Sequence, residues 1–187
     1  MHEQHTRFAF AGFFSALLLL GSGCGPTADP RVMAERENAI PADAVKMTPQ
    51  TDAAPVKSLS SEYEQPVPLP GPVTTAGAED SPFIMPDGNS LYFFFTPDVR
   101  VPVEKQLLDG VTGIYVSRKE NGMWKKPERI VLQDRNKLSL DGCFFTLGNT
   151  AWFCSVREGY SGIHWFTAQN VDGTWKNWKN ADKDLPD

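Results

Sequence analysis

Histidine and cysteine are nearly absent from this chain of 187 residues, which has three of each. His2 and His5 lie in the first five residues, which leaves His164 alone in the remainder. A metal site built on several imidazoles is thereby excluded, as is a Cys/His zinc site of the usual spacing. Three cysteines are too few for a disulfide-built scaffold. Basic charge is not in excess either. The 18 Lys+Arg stand against 23 Asp+Glu, a formal net charge of -5, where a nucleic-acid binder would carry a basic face. No phosphate-binding loop, dinucleotide fingerprint or nucleophile-elbow motif occurs. No cofactor, no resident metal and no nucleic-acid partner is therefore expected. The uncharged run Phe8 to Leu20 has thirteen residues, short of the ~20 that a spanning helix needs.

That run follows Arg7 and gives way to Leu20-Gly21-Ser22-Gly23-Cys24, the order of a secretory signal. The segment resembles the lipobox of bacterial lipoproteins, in which a leucine and two or three small residues precede the cysteine. The resemblance implies cleavage before Cys24 and a diacylglycerol on its thiol, which would make the membrane a partner through the lipid. Glu3 and the placing of Gly21 depart from the usual pattern, and the alternative is an ordinary signal cut near Gly23. Several acyl chains would anchor firmly, each buried methylene adding ~0.8 kcal/mol. Gly25, not Asp, follows Cys24. By the family's Gram-negative sorting rule this implies the outer membrane, on its periplasmic side or at the surface.

Aromatic residues are missing from the next stretch. Between residues 25 and 78 Tyr63 is the only one, while nine of the 15 prolines fall there. Such a segment buries too little apolar surface to offset its ordering entropy. Residues 24–66 are expected to be the lipidated Cys24 and a flexible Pro-rich tether. Pro66 to Pro72 should be extended, and a short helix near Met33 to Asn38 would be marginal. From Glu79 onward the composition inverts, with 16 of 21 aromatics and all five Trp. Leu91–Phe95, Gly113–Ser117, Cys143–Thr146, Ala151–Cys154 and Ile163–Phe166 are short, aromatic or β-branched, and bounded by turn residues. Residues 67–187 are therefore read as an all-β domain, after a signal peptide over 1–23.

The domain repeats itself. Asp87–Phe93 lies over Leu147–Phe153 at an offset of 60, Thr112-Gly113-Ile114 over Ser161-Gly162-Ile163 at 49, and Asn121–Trp124 over Asp172–Trp175 at 51. About eleven extra residues then fall between Phe95 and Gly113. Each copy reads as four strands in ~50 residues, the unit of a propeller blade. Positive φ is expected at Gly88, Gly122, Gly148 and Gly173, and the Trp of each fourth strand should pack between sheets. Glu79–Phe93, Gly113–Ser117 and Trp124–Pro127 resemble the Pro-Asp-Gly blades of TolB-like β-propellers over about residues 67 to 180. Thr146-Leu147 replaces the Pro-Asp pair in the second copy. The resemblance implies a partial propeller of about two four-stranded blades, on a scaffold that serves many partners. A closed propeller takes at least ~4 blades. The chain is accordingly expected to be a fragment of a longer protein, or else to close by association.

Carboxylates are the remaining chemical candidates. Paired acids suffice for acid–base work on a glycosidic bond, and Asp80, Asp141 and Glu158 are the residues in question. Each also has a plain structural reading, at a strand start, a turn and a loop. Asp87 and Asn89 could suggest calcium but fit a turn better. His164 reads as a core or sheet-face residue, and Tyr160, in a Gly-flanked loop, as a surface contact. The expected activity is binding of an envelope protein or glycan, with a glycan-processing enzyme or an inactive remnant as alternatives. Cys143 and Cys154 depend on register. A two-residue turn at Gly148-Asn149 would set them opposite each other, at roughly 5.5 Å between Cα atoms, within disulfide reach. Aligning the turn on Pro86-Asp87-Gly88 instead sets Cys143 opposite Ala151. The repeat favours the second arrangement, with two free, buried thiols.

Overall fold

The computed structural model describes residues 35–185. The signal segment and Cys24 lie outside them. The described chain is nearly all β, arranged as two antiparallel sheets. Sheet 1 contains β1 (Ala78–Ile84), β2 (Ser90–Thr96), β3 (Gly113–Glu120) and β4 (Met123–Trp124) in that order, with β5 (Glu128–Arg129) added beside β3. Sheet 2 contains β6 (Ser139–Leu147), β7 (Thr150–Arg157), β8 (His164–Val171) and β9 (Thr174–Asn180). Each sheet is thus a meander of sequence neighbours, as the repeat predicts. The hairpins turn at Asn121-Gly122 and Asp172-Gly173, where all four residues have positive φ. Asn, Asp and Gly are the residues that tolerate this conformation.

Strand pairing refines the repeat. Phe94 pairs with Ile114 in sheet 1, and Cys154 with Trp165 in sheet 2. The third strands therefore superpose at an offset of 51, not 49, and Gly113 corresponds to His164. The first copy has nine extra residues, not eleven. They lie between β2 and β3, as expected, and include the short helix α1 (Val103–Gln106). The first hairpins differ as well. Met85 and Ser90 close a four-residue turn in sheet 1, whereas Leu147 pairs directly with Thr150 around Gly148-Asn149. The two-residue turn is therefore the right one, contrary to the alignment on Pro86-Asp87-Gly88.

A bulge then resets the register. Gly142 pairs with Cys154 and Phe145 with Trp152, so Cys143 and Phe144 share one partner, Phe153. Cys143 takes φ 51° to do so. Sheet 1 has the same bulge, with Ser81 (φ 48°) and Pro82 opposite Phe93. Bulges re-aim side chains next to functional surfaces, and here the device occurs in both copies. First-strand equivalents accordingly lie 62 residues apart.

Sheet 1 packs its two faces differently. Tyr92, Ile114 and Val116 point forward into a core shared with Phe144, Ala151, Phe153, Phe166, Ala168 and Trp175 of sheet 2. The Tyr92 and Phe144 rings stack at 4.4 Å, and Trp175 Nε1 donates to Tyr92 Oη at 3.2 Å. The back of sheet 1 carries Leu91, Phe93, Phe95 and Tyr115, with Trp124 packed against them. Trp124 and Trp175 hold equivalent positions, and both pack against a core cluster as expected.

A short part of the segment read as a tether lies on the back face of sheet 1. A 3-10 turn over Arg36–Ala39 lies on it, and Ala39 and Ile40 pack against Phe93 and its neighbours. Arg36 is 3% exposed and donates to the carbonyls of Pro72 and Val73. Lys126 pairs with Glu35, and Arg100 with Asp43 at 2.9 Å. Residues 35–43 have no aromatic of their own but borrow those of β2 and β3.

Candidate functional site

The pairing assigns each side chain of one sheet an equivalent in the other. Phe83, Tyr92 and Ile114 on the forward face of sheet 1 correspond to Phe145, Trp152 and Trp165. In sheet 1 these positions are covered by sheet 2. In sheet 2 no described residue covers them to the same degree. Phe145 is 39% exposed and Leu147 75%, whereas Tyr92 is 7% and Ile114 fully buried. The Phe145 and Trp152 rings lie parallel, 6.3 Å between centroids. The forward face of sheet 2 thus displays the apolar pattern of a packing surface without a packing partner.

Beside it, where β6 crosses sheet 1, runs a groove of about 280 Å³. Phe94, Val103, Leu140, Val156 and Ile163 supply apolar walls, and Cys143 and Cys154 line one side. Both cysteines are free; Cys143 is exposed and Cys154 half-buried. Two free thiols were expected, but not an exposed Cys143. Positive φ at the bulge turns it outward. Burial, and then a hydrogen bond with Cys143, push the Cys154 thiol up to about 12. Cys143 is therefore the accessible thiol of the pair.

The carboxylates do not converge. Asp141 is buried. It accepts from Arg157 Nη2 at 2.7 Å, Ser155 Oγ at 2.6 Å and Ser139 Oγ at 3.1 Å. With its oxygens so engaged it is a structural acid. Asp80 accepts from the backbone N–H of Ser81, at the bulge. Glu158 lies exposed near the N–H of Leu138. Asp87 accepts from Asn89 N–H within its turn. Among the described residues no group of three or more His, Cys, Asp or Glu is placed to hold a metal ion.

His164 is at the start of β8 and half-buried, not in the core. Its Nδ1 lies 2.6 Å from Asp182 Oδ2 and its Nε2 3.0 Å from the carbonyl of Ser161. Two acceptors on one ring favour the doubly protonated form, and they raise the His164 pKa, Asp182 foremost. Asp182 also accepts from Asn180 and from Trp165 N–H, and its pKa falls to about 2. The pair ties the segment after β9 to the head of β8. Tyr160 is 37% exposed, its ring edge packed on Phe166 at 5.0 Å.

One arrangement was not anticipated. Arg157 lies over the Phe153 and Phe166 rings at 5.2 and 4.2 Å and bonds Asp141. In sheet 1 the equivalents of Phe153, Phe166 and Asp141 are Phe93, Tyr115 and Glu79. Arg36 lies over those rings at 5.6 and 5.7 Å, and 3.5 Å from Glu79. The position equivalent to Arg157 is Pro97. The N-terminal segment thus supplies the arginine that β2 lacks.

The fold and this surface define an all-β repeat protein with an open sheet face. No family model, curated protein or solved structure matches the chain.

Proposed function

We propose that the chain is a lipid-anchored cell-envelope protein, held through Cys24 in the outer membrane. Its two sheets are successive blades of a TolB-like propeller scaffold, and its activity is binding, not catalysis. The forward face of sheet 2, with Phe145, Leu147, Trp152 and Trp165, is the binding surface. One observation carries this reading: Tyr92 and Ile114 of sheet 1 are buried under another sheet, whereas the matching Trp152 and Trp165 are only half-buried and Phe145 and Leu147 beside them are exposed. Exposed aromatic patches of this kind mark interaction sites, and the internal precedent makes the ligand a protein that offers a sheet. The parallel Phe145–Trp152 pair, with Phe145 exposed and Trp152 half-buried, favours a second ligand class, since flat rings also stack on sugars. The dispersal of Asp80, Asp141 and Glu158 supports binding over glycan processing.

A photo-activated cross-linker placed at Leu147 in intact envelopes tests the surface. A discrete adduct is expected from Leu147, lost when Trp152→Glu is added, and none from Met123, exposed on β4. Equal yields from Leu147 and Met123, or none from either, would overturn the reading. Envelope glycan fragments that quench Trp fluorescence in place of a protein adduct would select the second ligand class. Fractionation tests the anchor: Cys24→Ser should move the protein from membranes to the soluble fraction.

A further inference from the structure

The surface complementary to the open face of sheet 2 is present on the same molecule. Inside the chain, a forward face (sheet 1) packs on a back face (sheet 2). The other forward face is open. The other back face, that of sheet 1, has the same ground plan: Phe93 for Phe153, Tyr115 for Phe166, Glu79 for Asp141, Trp124 for Trp175, and a buried arginine over the rings. Val73 and Val111 complete the cluster on that face, and Ala39 and Ile40 pack against it.

We infer that residues 39–46 are an autoinhibitory plug, and that the partner of the open face is a second copy of this chain. When the plug lifts, the forward face of sheet 2 in one copy docks on the back face of sheet 1 in the other. This rests on reading the forward face of sheet 2 as a binding surface. The contact is head to tail, repeating between chains the packing seen within one. Two chains together bring four sheets, the smallest number with which propellers close, and a closed pair leaves no sheet face free. The plug is fastened by contacts that release readily. Arg100–Asp43 is an ion pair with side chains 60% and 69% exposed, and Lys46 reaches Thr74 at the surface. Exposed pairs of this kind hold weakly. Arg36, bonded to Glu79 and to two carbonyls, stays as part of the first sheet.

The geometry also fixes the register. Within the chain Met85 of sheet 1 meets Thr146 of sheet 2, Sδ to Oγ1 at 3.4 Å. Leu147 is the equivalent of Met85, and Ile84 of Thr146. In the paired chains Leu147 of one copy should therefore meet Ile84 of the other. Both side chains are exposed, at 75% and 52%, so cysteine at either position leaves the core intact.

Two measurements test this on the full chain with Cys24, Cys143 and Cys154 replaced by Ser. In the first, light scattering gives the mass of the parent and of an unlatched variant, Ile40→Asp with Asp43→Ala. A monomeric parent, a dimeric unlatched variant and a return to monomer on adding Trp152→Glu are expected. A folded unlatched variant that stays monomeric would overturn the inference. The second uses the unlatched background, Ile40→Asp with Asp43→Ala. Ile84→Cys and Leu147→Cys chains, tagged differently, are mixed and oxidised with glutathione disulfide. Mixed dimers in clear excess over either homodimer are expected. Leu147→Cys dimers alone would mean a face-to-face pair and overturn it. So would no dimers at all. If Leu147 instead cross-links to a different envelope protein, the second-copy partner is wrong while the binding surface stands.

Discussion

Replacing Asp141 with Ala should be among the most damaging single changes in the domain, and for a reason unconnected with catalysis. Arg157 has a fully buried side chain, and the Asp141 carboxylate, 2.7 Å away, is its ion-pair partner. Its Nη1 has no hydrogen-bond partner and depends on the surrounding rings. Deleting the acid leaves a guanidinium that cannot return to water without opening the sheet. Breaking a buried pair on one side costs ~3–5 kcal/mol, a large share of the ~5–15 kcal/mol that holds a domain together. For a chain of this size the melting temperature should fall by roughly 10 °C. Replacing both residues with apolar ones, Asp141→Leu with Arg157→Met, should recover most of the loss, because desolvating the pair offsets much of its attraction. Urea unfolding followed by Trp fluorescence measures both. A loss below about 1 kcal/mol in Asp141→Ala, the range of ordinary surface changes, would refute the buried-pair account. So would a double variant no better than the single one.

Three further outcomes follow from local geometry. Because its folded-state pKa is raised, His164 adds stability that is complete below its unfolded value of about 6.5 and is lost as pH rises through the higher folded value. The melting temperature of the parent should therefore fall through that window, and that of His164→Gln should not. In the same pair, Asp182 adds stability above the ordinary carboxylate range, lost as pH drops toward about 2. Gly77→Ala would place a Cβ 2.6 Å from the ring of Phe95, itself fully buried. Overpacking should cost about 1–3 kcal/mol by urea unfolding. In the native protein a maleimide should label Cys143 rapidly and Cys154 slowly, whereas the unfolded, unreduced chain should show both thiols; equal native rates would contradict the bulge.

What was legible in the sequence was local. Asn121-Gly122 and Asp172-Gly173 specify their hairpins by themselves, and the aromatic runs at Leu91–Phe95 and Ala151–Cys154 mark β2 and β7. Four strands per copy could be read from those signals. Register was less accessible. A four-residue turn in one copy and a two-residue turn in the other carry no offset signature once Gly88 is laid on Gly148. The bulges place Ser81 and Cys143, neither of them glycine, at positive φ. The docking of Arg36 was hidden because it depends on rings more than fifty residues away. One signal was available: Glu79 and Asp141 are equivalent acids on back faces, yet Pro97 stands where the first copy needs its arginine. The structural role of Asp141 was hidden for a related reason, since Arg157 becomes its partner only after the strands pair.

The comparison that tests the binding surface most directly is between two equivalent aromatics. Tyr92→Glu and Trp152→Glu alter matching positions of the two forward faces, one buried against sheet 2 and one half-buried. Urea midpoints, with the change in denaturant dependence as a check on unfolding, give the cost of each. Tyr92→Glu should unfold the domain or cost at least ~3 kcal/mol, since it puts a charge in the core and strands Trp175 Nε1. Trp152→Glu should stay within about 1 kcal/mol of the parent. If Trp152→Glu proves as costly as Tyr92→Glu, the forward face of sheet 2 is core, and the proposed binding surface does not exist.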